Sequence, residues 1–123
     1  MNDIKQAITE ENLANFYGSE HFYRFHHMVI TDGVKFLMDN GAAWLMDIIW
    51  SYQGIKKLQT PMLRDFQLWT LKVNLEKKTA VVTCRADSNI PPAITQKIPY
   101  TDFPLEEIKL YVENDTILLP SER

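Results

Sequence analysis

Only one cysteine, Cys84, occurs in the 123 residues, so no internal disulfide can form and no sulfur-rich metal or redox motif can be built. Glycine is equally scarce, at four residues, and none falls in a phosphate-cradling loop. No long apolar run is present. Asp39, Asp47 and the Asn40-Gly41 break leave the richest hydrophobic stretch far short of the roughly 20 residues a bilayer requires. Nothing at Met1-Asn2-Asp3-Ile4 resembles a signal sequence. Together these absences predict a cytoplasmic protein that does not engage a membrane.

Catalytic and metal-binding patterns are also missing. His21, His26 and His27 invite a metal hypothesis, but adjacent histidines on a strand point to opposite sides, and no Cys or acid stands at a ligand spacing. No metal and no cofactor is therefore expected. Asp32, Asp47, His26, His27 and Asp102 are the candidates for acid–base work, yet nothing orders them into nucleophile, base and oxyanion donor. Asp47 reads as a solvent-facing carboxylate, since no His, Lys or second acid accompanies it in a recognisable pattern. Cys84 reads as a small buried hydrophobe with no His to activate it. The chain is not expected to be an enzyme.

What is there is an ordinary globular composition, 46% hydrophobic and 24% charged, on a chain that fits one domain. We expect residues 1–8 to form a flexible N-terminus and residues 9–123 a single α+β domain. The net charge of −3 is unevenly spread. Residues 1–54 hold 7 acids and 3 bases, residues 55–85 hold 7 bases and 2 acids, and residues 101–123 hold 6 acids and 2 bases. A basic middle between acidic ends speaks to partners or self-association rather than to fold.

Thr31 to Gly54 carries the one sustained helical pattern. Thr31-Asp32 can cap a first helix with Val34, Leu37 and Met38 on its apolar side, and Asn40-Gly41 reads as its end. A second helix from about Ala42 to Gln53 presents Trp44, Leu45, Ile48, Ile49 and Tyr52, a stripe broad enough to be nearly surrounded. Thr9-Glu10-Glu11 opens a short helix to about Phe16. Glu20 to Ile30 favours a packed strand or extended rim, with Arg24 and His26 offering a surface for recognition.

Asp65 to Leu75 alternates clearly, Glu76-Lys77-Lys78-Thr79 reads as a four-residue loop, and Ala80 to Ala86 returns. Opposing Leu75 to Ala80 pairs Val73 with Val82, Leu71 with Cys84 and Trp69 with Ala86 on the core side. The other side carries Lys72 and Arg85 and, with Lys77 and Lys78 in the loop, is basic. Ile94 to Ile98 reads as a third strand. Tyr100 to Glu107 reads as a capped helical turn, and Ile108–Glu113 with Thr116–Leu119 as a closing hairpin around Asn114-Asp115. The predicted architecture is an α+β fold of two or three helices packed on one face of a four- to five-stranded antiparallel sheet built from hairpins.

The phrases TDGV (31–34), AWLMDII (43–49), QLWTLKV (67–73), IPYTDFPL (98–105) and ILLPSE (117–122) span most of the chain. In them the sequence resembles a family of small proteins of unknown function from bacterial, plasmid and phage genomes. The resemblance implies a mobile-element setting, in which small acidic proteins act by binding and blocking another protein, and it brings no catalytic motif. The leading expectation is thus a non-enzymatic inhibitor that occludes a host protein, such as a defence nuclease or CRISPR effector, in the manner of an anti-CRISPR. The alternative is a nucleic-acid-binding accessory protein using the basic hairpin 55–85, whose lysines follow phosphates. The expected partner-binding residues are Lys72, Lys77, Lys78, Arg85, Arg24 and His26. A homodimer joining a basic hairpin to acidic segments is compatible with both.

Overall fold

Thr31 begins the main helical run as its sequence predicts, its hydroxyl accepting a hydrogen bond from Val34 N at 3.4 Å. The computed structural model, which describes residues 6–123, places helices at Glu10–Leu13 (α1), Asp32–Leu37 (α2), Ala43–Ser51 (α3) and Pro61–Asp65 (α4). Asn40-Gly41 ends the first helix as expected: both residues leave helical geometry within Met38–Ala42, and α3 starts anew at Ala43 after this kink. Gly41 sits there at φ 110°, a conformation that glycine adopts at no steric cost, and Asn40 Nδ2 donates to Phe36 O at 2.7 Å. α1 and α4 are single turns, opened by the side-chain oxygens of Thr9 and Thr60. Of the segment expected to be flexible, residues 1–5 lie outside the described residues, and Ile8 is buried.

The strands are Phe22–Phe25 (β1), Met28–Thr31 (β2), Phe66–Asn74 (β3), Thr79–Arg85 (β4), Ile94–Ile98 (β5), Glu107–Glu113 (β6) and Thr116–Leu118 (β7). They form one seven-stranded sheet in the order β1-β2-β7-β6-β3-β4-β5. Every neighbouring pair is antiparallel except β2 and β7, which run parallel.

This overturns the expected α+β architecture of two or three helices on a four- to five-stranded antiparallel sheet. The class is mostly β: one mixed sheet of seven strands, carrying one substantial helical run. Two physical causes account for the difference. The segment Glu20 to Ile30 is a hairpin rather than one strand, because His26 takes a left-handed φ of 58° and turns the chain. The β2–β7 pairing then joins segments almost ninety residues apart, a contact that no local pattern announces.

Two smaller expectations also change. The β3–β4 turn keeps four residues but sits one residue earlier than predicted, which shifts the register by two and pairs Val73 with Ala80, Leu71 with Val82 and Trp69 with Cys84. Asn74 sets this register: its carbonyl accepts from Lys78 N at 2.8 Å and its side chain from Lys77 N at 2.9 Å, with Lys78 at φ 58°. Leu75 is thereby pushed into the turn. The faces survive, because a two-residue slip preserves the alternation. Tyr100 to Glu107 forms no helical turn. Thr101 N bonds Lys78 O, Thr101 Oγ1 accepts from Phe103 N, and Phe103 is buried as a plug, so the segment is anchored as an irregular connection that bends at 104–106.

Trp69, Leu71 and Val73 of β3, Ala80, Val82 and Cys84 of β4, and Ile108, Leu110 and Val112 of β6 join Val34, Leu37, Leu45, Met46 and Ile49 in one core. Each such fully buried aliphatic side chain stabilises the fold by roughly 1.5–3 kcal/mol. A polar knot pins the helix end to β3. Gln67 Oε1 accepts from Trp69 Nε1 at 2.8 Å and from Gln53 Nε2 at 2.9 Å, while Gln67 Nε2 donates to Leu63 O and Gln53 Oε1. No helix among the described residues is long and apolar enough to cross a membrane.

The C-terminal turn Pro120–Glu122 closes on the start of α2. The Glu122 carboxylate is buried and accepts from Thr31 Oγ1 at 2.6 Å, Gly33 N at 2.8 Å and Leu119 N at 3.0 Å. An anion at a helix N-terminus is favourable in itself, because the first N–H groups lack partners inside the helix. Gly33 makes room for it: a Cβ there would lie 2.5 Å from Leu119 Cδ1 and 2.7 Å from Glu122 Oε1. We predict that Glu122→Ala destabilises the protein by about 2–4 kcal/mol, since three donors lose a charged acceptor. Gly33→Ala is expected to be costly too, and the two changes combined to cost less than their sum. Urea denaturation of the two single variants and the double variant checks this, and strictly additive losses would contradict it.

Candidate functional site

One side of the sheet is covered by the helices, and the other is not. On β3 the residues Gln67, Trp69, Leu71 and Val73 turn toward the helices, so Leu68, Thr70 and Lys72 belong to the uncovered side. The strand registers then fix what stands beside them. Thr70 is opposite Lys109 of β6 and Thr83 of β4, and Thr83 is opposite Thr95 of β5. One row across four strands therefore reads Lys109, Thr70, Thr83, Thr95. The next row is Glu107, Lys72, Val81, Lys97, and the row on the other side is Tyr111, Leu68, Arg85. Directly opposed side chains on such a face have Cβ atoms about 4.5–5.5 Å apart.

Lys72, Arg85, Lys97 and Lys109 thus share one face, and among the described residues none of the four stands in an ion pair. Lys72, Lys97 and Lys109 are exposed, while Arg85 is half-buried and donates to Ile90 O at 3.3 Å. A shallow hollow of about 160 Å³ lies in the middle, lined by Thr70, Lys72, Thr83, Arg85, Glu107 and Lys109 among others. Toward the far end of β3, Arg123 stacks over Phe66 (4.9 Å) and Tyr111 (5.5 Å) and pairs with Glu113 at 3.2 Å. That corner is already occupied by the chain itself.

Of the six residues expected to bind a partner, Lys72 and Arg85 come together here. Lys77 and Lys78 are exposed in the β3–β4 turn, at one end of the face. Arg24 lies on β1, four strands away from β3, or roughly 19 Å at ordinary strand spacing. His26 belongs to neither group: in the β1–β2 turn it stacks on Trp50 of α3, ring centroids 3.8 Å apart. Lys97 and Lys109 were missed. Their signal was present in the alternation of ITQKI and EIKLYVE, but charges tallied segment by segment hide residues that only strand pairing brings beside Lys72.

The opposite layer holds a larger cleft of about 770 Å³, bounded by Phe16, Tyr17, His21, Tyr23, Asp32 and Asp39 among others. Its chemistry is committed to structure. Asp32 accepts from Glu20 N (3.0 Å), His21 N (3.2 Å) and Tyr23 Oη (3.0 Å), and His21 Nδ1 lies 3.6 Å away. Burial alone raises the Asp32 pKa, but these hydrogen bonds and the neighbouring His21 outweigh it, so the carboxyl is held below its ordinary value. The hydrogen bond to Asp32 in turn holds the Tyr23 hydroxyl above its usual range. Ser19 Oγ donates to His21 O and accepts from Asp32 N, so both its hydrogen-bonding roles are in use. Asp47 is exposed. Burial pushes the Cys84 thiol up to about 12, which keeps it from forming a thiolate near neutrality.

A family model described as a family of unknown function (DUF6876) matches residues 7–123. No curated protein and no solved structure matches the chain.

A carboxylate with a depressed folded pKa contributes stability above its unfolded pKa and loses it as pH falls through the folded value. We therefore predict that Asp32→Asn costs stability at neutral pH, and that the difference from the native chain fades as pH drops below the ordinary value of 3.8. Chemical denaturation from neutral pH to about 2 measures it; a difference independent of pH would contradict the assignment.

Proposed function

The chain belongs to the family of unknown function (DUF6876), and from that premise we propose that it is a non-enzymatic binding protein whose working surface is the open, basic face of the sheet. The observation that carries this reading is the gathering of Lys72, Arg85, Lys97 and Lys109 on one uncovered side. Four cations that stand in no ion pair among the described residues set a positive potential over this surface, which steers an acidic partner and fixes its orientation more than it supplies raw affinity.

The partner class we propose is a host protein. The resemblance of TDGV, AWLMDII, QLWTLKV, IPYTDFPL and ILLPSE to proteins of phage and plasmid genomes supports a mobile-element setting. A small binding protein there acts by covering a site on its target, and a defence nuclease such as a CRISPR effector is the target of this kind. A net charge of −3 is too modest for imitation of a nucleic acid as a whole, so the contact is a matter of surface fit with the basic face set against an acidic patch. A second reading is nucleic-acid binding. One observation favours it: Lys97 and Lys109 extend the basic hairpin into a face that also carries the hydroxyls of Thr70, Thr83 and Thr95, the residue types that contact phosphates.

Affinity capture from host lysate, with and without nuclease, separates the two. The native chain is expected to retain one nuclease-resistant protein, and the Lys72→Glu/Lys109→Glu double variant to retain at least about tenfold less of it. A partner set that vanishes with nuclease selects the second reading. Capture indifferent to the charge reversal removes the open face from either account.

A further inference from the structure

Thr70 is the most enclosed polar residue of the open face. It is 7% exposed, yet it lines the 160 Å³ hollow, and no side-chain hydrogen bond among the described residues uses its hydroxyl. The oxygen is not sealed in the way Trp50 Nε1 is, which is buried with no hydrogen-bond partner among the described residues; it remains open to the hollow. A hydroxyl sunk into a sheet face and left without a partner is a donor held ready. Around it stand Lys109 directly opposite on β6, Thr83 directly opposite on β4, Lys72 two residues along β3, and Arg85 diagonally across on β4, with Glu107 opposite Lys72. Three positive charges and one negative charge leave the hollow at +2.

We infer that this hollow binds a phosphate group in its dianionic form, as a free phosphate or as the end of a phosphate monoester. The choice follows from charge and shape. A phosphate carries about −1.5 to −2 at neutral pH on three strong acceptor oxygens, and it meets two hydroxyls and three cations that approach from three different strands. A carboxylate is planar and singly charged, and leaves part of this donor set unused. Lys72, Arg85 and Lys109 supply charge-assisted hydrogen bonds, and Thr70 supplies the floor. At about 30 Å³ per water in the liquid, the volume is several waters' worth, enough for one such group. The inference uses the same face as the proposed function and assigns it a chemical handle.

The test is an amide-shift titration of the full chain with inorganic phosphate, run beside acetate at matched ionic strength. Phosphate is expected to move the amides of Thr70, Thr83 and Lys109 saturably, and acetate is not. Thr70→Val keeps the shape of the side chain and every charge, and is expected to weaken phosphate binding at least about tenfold, the loss due to one hydrogen bond to a charged group. Lys109→Met is the second variant, with the same expected direction. Thermal melts confirm that both remain folded. Adenosine monophosphate against adenosine separates the sources: equal affinity for the monophosphate and free phosphate assigns the site to the phosphate alone, and tighter binding of the monophosphate assigns it to a nucleotide end. No saturable shift with phosphate, equal binding by Thr70→Val and the native chain, or a response to adenosine alone would each overturn the inference. Lysate capture is independent of this outcome. A captured partner with no phosphate binding leaves the function and removes the handle, and Thr70-dependent phosphate binding with empty capture does the reverse.

Discussion

The Glu122 carboxylate, buried at the start of the main helix, is the contact on which the rest of the arrangement depends. It joins the last turn of the chain to Thr31 and Gly33, 89 residues from Gly33 along the sequence. Three things are decided at once. The helix receives an acceptor for its first free N–H groups, β2 is held where β7 can pair with it, and Leu119 is drawn into the core. A buried carboxylate is costly unless its hydrogen bonds are complete, and here three donors complete them. Gly33 is part of the same device, because no side chain fits between the helix and the closing turn.

With that closure made, the two faces of the sheet divide the work. The helix-covered face contains the apolar core and the Gln53–Gln67–Trp69 knot, and it explains why QLWTLKV and AWLMDII go together: they meet across one interface. The other face carries no second layer among the described residues, so its side chains are free to answer to something outside the chain. The cleft near Asp32 is larger, but its Asp32, Tyr23, Ser19 and Lys35–Asp39 groups are already bonded within the chain, whereas among the described residues the cations of the open face stand in no ion pair. Unspent polar groups, rather than volume, distinguish the two.

Much of this was legible in the sequence, and the part that was not has a common cause. Alternation along Phe66 to Asn74 put Lys72 on the polar side, and Asn114-Asp115 marked a turn that the structure builds with φ of 53° and 56°. Ile94–Ile98 is a strand where one was expected. Most of the failures required knowledge of which distant segments pair. Lys109 reaches the face through β3–β6, Lys97 through β4–β5, and TDGV meets LLPSE only through the parallel β2–β7 contact and Glu122. The helix boundary was legible locally: Asn40 and Gly41 leave helical geometry as an Asn-Gly stop requires, while Leu37 and Leu45 on either side of the kink share one core.

The claim at the centre of this account is that a partner sits on the open sheet face. Amine-labelling of the captured complex, compared residue by residue with the free chain, tests it most directly. The account predicts that Lys72, Lys97 and Lys109 become protected in the complex while Lys35, beside the opposite cleft, labels as before. Protection of Lys35 with unchanged labelling of Lys72, Lys97 and Lys109 would contradict it and move the working surface to the helical side.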